Sequence, residues 1–223
     1  MAKLKLCVVS GQGSADTACL ICQILSGRVR TGLLALTGRF DGTVNELLLH
    51  LEQQQCRHAV LALPEGFRWS ADWTADTVVM LSGSRGEAAE ELLRQCHRAV
   101  VSLDDPDGVA QVTADIPQWT FSERHKEADI TAENLRLLPF HTEFEAVTKD
   151  SICRIRVPLS EGRGLYPGLA AAAAGLSYGI PVEESAHRMH ASQPESGGMI
   201  ALPGQPYATV GYFEEKTERI REI

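Results

Sequence analysis

The residues best placed to do chemistry lie near the amino terminus: Ser10, Gly11, Gln12, Gly13, Ser14, Ala15, Asp16 and Thr17. They follow the apolar run Leu6–Val9 and open into Ala18–Leu25, a helix-like stretch. A strand that enters a glycine-containing loop and leaves as a helix is the architecture of a phosphate-binding loop. Successive backbone N–H groups and the positive end of the helix dipole then form a concavity suited to an anion. Such a loop normally carries a lysine just before its Ser or Thr, to reach the outer phosphates. Here Ala15 or Asp16 takes that place. A carboxylate there repels phosphate, so the scaffold of a nucleotide site is expected without its cation.

Other groups admit both a chemical and a structural reading, and the structural one is expected. Cys19 and Cys22 form a C-x-x-C inside a helical stretch, with no second pair at metal-ligand spacing, so packing is expected. His187 and His190 stand three apart on a short helix and could meet one metal, but no third ligand accompanies them. Asp104, Asp105 and Asp107 resemble an acidic cation loop, yet Pro106–Asp107–Gly108 reads as a strand-ending turn. Ser82–Gly86 carries one cation, Arg85, and reads as a shortened loop. Phe67, Trp69 and Trp73 make Pro64–Trp73 aromatic: a contact surface if exposed, a lid if packed.

The elements that must position these groups alternate. Leu4–Val9, Gly32–Leu36, His58–Leu63, Thr77–Leu81 and Arg98–Leu103 read as short apolar strands. Helices are predicted from a cap at Ser14 to about Leu25, from the capping box Thr43-x-x-Glu46 through Gln53, and over Gly86–Cys96. Such alternation implies an α/β fold, a mostly parallel sheet with helices on both faces. From about 118 to 158 the pattern becomes Trp119–Ser122, Ala128–Leu138, Glu143–Thr148 and Ser151–Val157, with a tight turn at Lys149–Asp150. That predicts a small antiparallel β subregion. Helices follow at Leu165–Tyr178, where Ala170–Ala174 permits close packing, and at Val182–His190. Tyr207–Phe213 reads as a strand and Glu214–Ile223 as a charged terminal helix. The predicted division is one domain over 1–205 and a remnant strand and helix over 206–223.

Composition bounds the partners. The 223 residues are 44% hydrophobic and 22% charged, ordinary for a globular domain. A net charge of -8 argues against nucleic acid and anionic membranes. No apolar run approaches the roughly 20 residues of a membrane helix, and Met1–Lys3 leads into a strand without a signal-like segment. A cytoplasmic location is expected. Cys7, Cys19, Cys22, Cys56, Cys96 and Cys153 lie mostly in apolar runs and are expected to be reduced, buried thiols.

Taken together, these features resemble the central, ATP-binding domain of the Mur ligases, in particular those that add the third amino acid to UDP-N-acetylmuramoyl-dipeptide. The likeness runs from Val8 to about Met199. The loop is similar to the family's TGTNGKTT, and Val101–Gly108 to its N-x-D-D-P-x-G turn. Ala128–Leu135 is similar to an aD-x-x-A-x-N-I stretch. Val157–Pro158–Leu159, Gly162–Arg163, Leu169–Ala172 and Gly179–Ile180 follow the segment that begins L-P-L-x-G. The resemblance implies ATP and Mg as cofactors and amide-bond formation through an acyl phosphate.

Residue by residue, the sequence departs from what that chemistry needs. Ser14 stands for the loop's second glycine and Ala15 for its lysine. Ala62 falls where the family has a magnesium-binding glutamate, and a histidine-bearing segment has no counterpart between Met80 and Gly86. Glu90 aligns with the lysine that is carbamylated in the family and could imitate its negative charge. Gly168 replaces an adenine-contacting asparagine, and Gly198 an arginine. On this resemblance, the UDP-sugar domain is expected to have no counterpart and the carboxy-terminal domain to be reduced to Tyr207–Ile223 at most. Phosphoryl transfer depends on positioning and on neutralising charge. Losing a single stabilising group commonly costs about 3–4 kcal/mol of transition-state stabilisation.

Three functions follow as expectations. The first is a non-catalytic protein that binds a partner chain, a second copy of itself, or a small molecule in the vestigial cleft. The second is an ATP-dependent carboxylate–amine ligase or ligase subunit related to cell-wall biosynthesis. The third is a weak nucleotide or anion binder using the backbone amides of Gly11–Thr17.

Overall fold

The computed structural model describes residues 4–36, 44–63, 74–84, 86–105, 115–139, 141–158, 165–191, 208–214 and 217–221. Thr43, the aromatic Pro64–Trp73 segment, Arg85, Pro106–Gly108, Leu159, Gly162, Arg163 and Gly198 lie outside them.

The first half alternates as its apolar runs predict: β1 (Lys5–Ser10), α1 (Ser14–Ser26), β2 (Thr31–Leu36), α2 (Val44–Gln53), β3 (His58–Leu63), β4 (Thr77–Met80), α3 (Glu87–Arg94) and β5 (Ala99–Ser102). Then come β6 (Gln118–Ser122), β7 (Ile130–Leu137), β8 (His141–Thr148), β9 (Ile152–Pro158), α4 (Leu165–Ser177), α5 (Val182–Ala191), β10 (Ala208–Glu214) and β11 (Thr217–Arg221). The described strands form one sheet in the order β11-β10-β2-β3-β1-β4-β5-β6-β7-β8-β9. It is parallel from β2 to β7 and antiparallel at both ends, where β8 and β9 extend one edge and β10 and β11 the other.

Two expectations are corrected. The antiparallel region does not begin at 118, because β6 runs parallel to β5 and to the start of β7; the reversal comes at the β7–β8 turn. The charged terminal helix is instead β11, which pairs antiparallel with β10 through Tyr212↔Arg221 and Glu214↔Thr217. Glu, Lys and Arg favour helix only weakly, and pairing beside an available strand outweighs that preference. The β10 strand adds to β2 over Ala208–Phe213, so it belongs to the same sheet.

Strand alternation divides the core in two. Cys7, Val9, Leu33, Ala35, Val60, Ala62 and Val79 face α1, α4 and α5. Leu6, Val8, Leu34, Leu61, Val78, Met80 and Val101 face α2 and α3. The alanine run of α4 is wholly buried. A Cβ on Gly168 would stand 2.9 Å from Val157 Cγ1, and one on Gly175 would stand 2.5 Å from Ser185 Oγ. Small residues therefore let α4 press against the sheet and against α5, as the alanine run implies.

No helix among the described residues is long and apolar enough to cross a membrane. All six cysteines are free thiols, with Cys7, Cys22, Cys56 and Cys96 buried. Burial pushes the Cys7 thiol up to about 12 and the Cys19 and Cys96 thiols to about 11, so none of the three is an activated thiolate at neutral pH.

Candidate functional site

The chain leaves β1 toward β2 and β3 on one side of it, then crosses to β4 and β5 on the other. The carboxyl ends of β1 and β4 therefore flank a topological switch point, where open α/β sheets form their binding crevice. The loop Gly11–Gly13 sits there. Gly11 has φ 110° and Gly13 has φ 80°, both in the left-handed region that favours glycine. Gly13 caps α1 without any side-chain hydrogen bond. The strand, loop and helix follow in the order read from the sequence, but the cap is Gly13 rather than Ser14, whose hydroxyl is engaged elsewhere.

The loop is tied to its neighbours through backbone groups. Leu81 N–H donates to Ser10 O at 2.9 Å, and Gln12 N–H donates to Ser82 O at 2.9 Å. Ser14 N–H donates to Gly11 O at 3.2 Å, and Thr17 N–H to Gly13 O at 3.0 Å. The Ser14 hydroxyl reaches across to the Leu63 carbonyl at the end of β3, 2.9 Å away. Gly13 and Ala15 are left as backbone donors without a protein acceptor among the described residues, as the first N–H groups of a helix commonly are. Asp16 is half-buried in the first turn of α1. Thr17 is fully buried, and its hydroxyl has no hydrogen-bond partner among the described residues.

Around the loop lies a set of hydroxyls that the sequence reading did not assemble. Ser84 Oγ donates to Ser10 Oγ at 2.8 Å, bridging the ends of β4 and β1. Ser82 Oγ and the Tyr166 hydroxyl, from the start of α4, are 3.1 Å apart. Burial raises the Tyr166 phenol above its ordinary range, so it remains a neutral hydrogen-bonding group. Its ring packs edge-on against Phe121 with centroids 5.2 Å apart. Ser82 and Ser84 flank a glycine that reads as loop; Tyr166 is 84 residues away from Ser82, a pairing no local pattern signals.

The acidic pair after β5 is structural. Asp104 accepts hydrogen bonds from Ser122 Oγ at 2.6 Å and from Glu123 N–H at 2.7 Å, joining β5 to the end of β6. Asp105 is buried and accepts from Gly83 N–H at 3.4 Å. A turn follows β5 at Leu103–Asp104, while Pro106–Asp107–Gly108, where the strand-ending turn is expected, lies outside the described residues.

Glu90 lies exposed on α3, paired with Arg94 one turn further along at 3.4 Å. Ala62 is 1% exposed, registered between Val9 and Ala35 in the core beneath α1. Gly168 is occupied by packing against Val157 and Phe144. His187 is exposed on α5, and the side chain of His190 lies outside the described residues. No group of three metal-ligating side chains occurs among the described residues.

The fold and loop together define a mostly parallel α/β domain with a glycine loop at its switch point. No family model matches the chain. Over 91 residues the chain is 35% identical to the chloroplastic UDP-N-acetylmuramoyl-L-alanyl-D-glutamate–2,6-diaminopimelate ligase MurE homolog of Oryza sativa subsp. japonica, and as much to that of Zea mays. The alignment covers 40% of this chain and 12% of either relative. MurF from Acinetobacter baumannii superposes with a TM-score of 0.69 at 20% identity, over 92% of this chain and 49% of that one. Folylpolyglutamate synthetase from Lactobacillus casei superposes with a TM-score of 0.56 at 14% identity, over 83% of this chain and 61% of that one. Over part of its length the chain is thus similar in sequence to these MurE homologs, and its fold is that of the solved MurF and folylpolyglutamate synthetase structures. The chain spans about half the length of the MurF structure and a smaller share of the curated relatives.

Proposed function

We propose that this chain keeps the Mur ligase nucleotide scaffold and works by binding rather than by ATP-driven ligation. The observation that carries this reading is the charge of the loop: Ser10–Thr17 contains no lysine or arginine, and its one ionisable side chain is Asp16. An acidic residue in the first turn complements the helix dipole. Asp16 therefore takes up, within the chain, the positive field that would otherwise favour a phosphate.

Mg-ATP does not fit this donor set. The glycine conformations could cradle a phosphate, but Ala15 supplies no charge to neutralise it. Buried Ala62 supplies no carboxylate for a divalent ion at the end of β3. Exposed Glu90, turned to Arg94, adds no support for a carbamate substitute. The proposed occupants are a partner chain, a second copy, or a neutral small molecule that meets the hydroxyls of Ser82 and Tyr166. The proposed setting is the cytoplasm, in relation to the muramoyl-peptide ligases whose names the relatives bear.

The open backbone donors of Gly13 and Ala15 favour a second reading, an anion held weakly by amides alone. Calorimetric titration with Mg-ATP, followed by assay of phosphate release, separates these readings. No saturable heat below millimolar nucleotide supports the scaffold, and binding without turnover supports the anion binder. Tight binding with hydrolysis overturns both and restores the ligase.

A further inference from the structure

The cleft at the carboxyl end of the sheet is entered by a side chain of the protein itself. Tyr166 is the second residue of α4, and Pro167 and Gly168 follow it in the first turn. A proline there breaks nothing, because the first N–H groups of a helix have no intrahelical partner. Gly168 lies against the β8–β9 hairpin, so closely that a Cβ would stand 2.9 Å from Val157 and 3.3 Å from Phe144. Residues two apart on a helix are turned roughly 200° from each other. With Gly168 held on the hairpin, Tyr166 is directed to the opposite side, over the ends of β4, β5 and β6.

Each of those strands supplies a contact. The Tyr166 hydroxyl is 3.1 Å from Ser82 Oγ, in the turn after β4. Ser102, the last residue of β5, hydrogen-bonds the same phenol through its side chain. The ring meets the fully buried Phe121 of β6 edge-on, with centroids 5.2 Å apart. Pro167 stands over the glycine loop, since a Cβ on Gly13 would lie 3.9 Å from its Cγ. Open α/β sheets take ligands in the crevice outside these strand ends, and here the start of α4 lies across it. The latch consists of neutral hydrogen bonds and a ring edge, and Tyr166 itself is half-buried. Contacts of this kind hold a side chain at modest cost and can be exchanged for those of a ligand.

We propose that Tyr166 is a gate: its phenol fills a ring-sized subsite over the ends of β4, β5 and β6, and a ligand gains that subsite by displacing it. The ligand that fits is a neutral aromatic ring carrying a hydroxyl or amide. Such a ring replaces both the edge contact with Phe121 and the hydrogen bond to Ser82. The gate rests on the reading that the cleft binds rather than catalyses, and it narrows the small molecule of that reading to this class.

Alkylation of a thiol placed beneath the gate tests this, with phenol as the probe. Ser102 is 2% exposed, so Ser102→Cys reports opening of the gate, while fully buried Cys22 of α1 reports unfolding. Labelling by iodoacetamide, followed peptide by peptide, should be at least roughly tenfold faster at position 102 than at Cys22. Adding Tyr166→Phe removes the latch and keeps the ring, and should accelerate position 102 severalfold relative to Cys22. Adding Tyr166→Ala instead should accelerate it further, and millimolar phenol should restore protection in that variant. Equal rates at positions 102 and 22, no response to Tyr166→Phe, or no protection by phenol overturns the gate. These rates are read without nucleotide, so they decide the gate separately from whether Mg-ATP binds and turns over. A crystal structure of the unaltered chain decides independently of how the variants fold. A phenol seated on Phe121 within hydrogen-bond distance of Ser82 is expected, and a ring turned out to solvent overturns the proposal.

Discussion

A Cβ added to Gly11 would stand 2.7 Å from the carbonyl oxygen of Leu81. That contact is with backbone, so no side chain can swing aside to relieve it. The turn after β1 and the turn after β4 are thus seated against each other, sealed by the Leu81–Ser10 and Gln12–Ser82 hydrogen bonds. The glycine that allows a phosphate to approach in a working loop here also allows one stretch of backbone to approach another.

Gly11→Ala is therefore expected to destabilise the fold. Its φ of 110° is strained for any residue with a Cβ, and strain of this kind costs about 1–3 kcal/mol before the collision is counted. Urea denaturation with an unchanged slope and a lower midpoint is the expected result. A midpoint equal to that of the parent would mean that the two turns are not packed as described.

Placing an asparagine at position 168, where the resemblance expects one, should fail for a related reason. The Cβ of Gly168→Asn meets Val157 Cγ1 at 2.9 Å and the Phe144 ring at 3.3 Å. Overpacking of this kind typically costs about 1–3 kcal/mol. A lower melting temperature with no gain in nucleotide affinity is expected. A gain in ATP affinity at unchanged stability would show instead that the adenine subsite is intact.

Stability should also fall on mild acidification. Burial, with Lys5 and Arg98 nearby, lowers His58 from its ordinary value to about 4, although Asp76 opposes the shift. Between about pH 6.5 and 4 the unfolded chain binds a proton at this residue and the folded chain does not. Stability is therefore full above pH 6.5 and declines as pH falls toward 4, by up to about 3 kcal/mol. Denaturation at pH 7 and pH 5 measures the slope, and His58→Gln should flatten it. An identical slope in the variant would assign the acid sensitivity to other groups.

How much of this was legible beforehand depended on the range of the interaction. The strand His58–Leu63 shows itself as an uninterrupted apolar run, and the turn after β1 as two glycines between a strand and a helix. Both signals are local. β11 reads locally as a helix because Glu218, Arg219 and Arg221 suit a solvated helix as well as an edge strand, and only the presence of β10 decides between them. The Ser82–Tyr166 contact and the edge-on contact of the His58 and Tyr178 rings join residues more than 80 positions apart. No periodicity announces such pairs, since topology alone creates them. That Ser10–Thr17 carries no lysine or arginine, by contrast, is read directly from the sequence.

The central claim, that the loop keeps its form and has lost its charge, is tested most directly by giving the charge back. ATP affinity should be measured by calorimetry for the parent chain and for the double variant Ala15→Lys, Asp16→Thr. A lysine reaching the phosphates, with the carboxylate removed, predicts at least a roughly tenfold tighter complex, about 1.4 kcal/mol. Equal affinities in the two proteins, or a parent chain that already binds and turns over Mg-ATP, would contradict the claim.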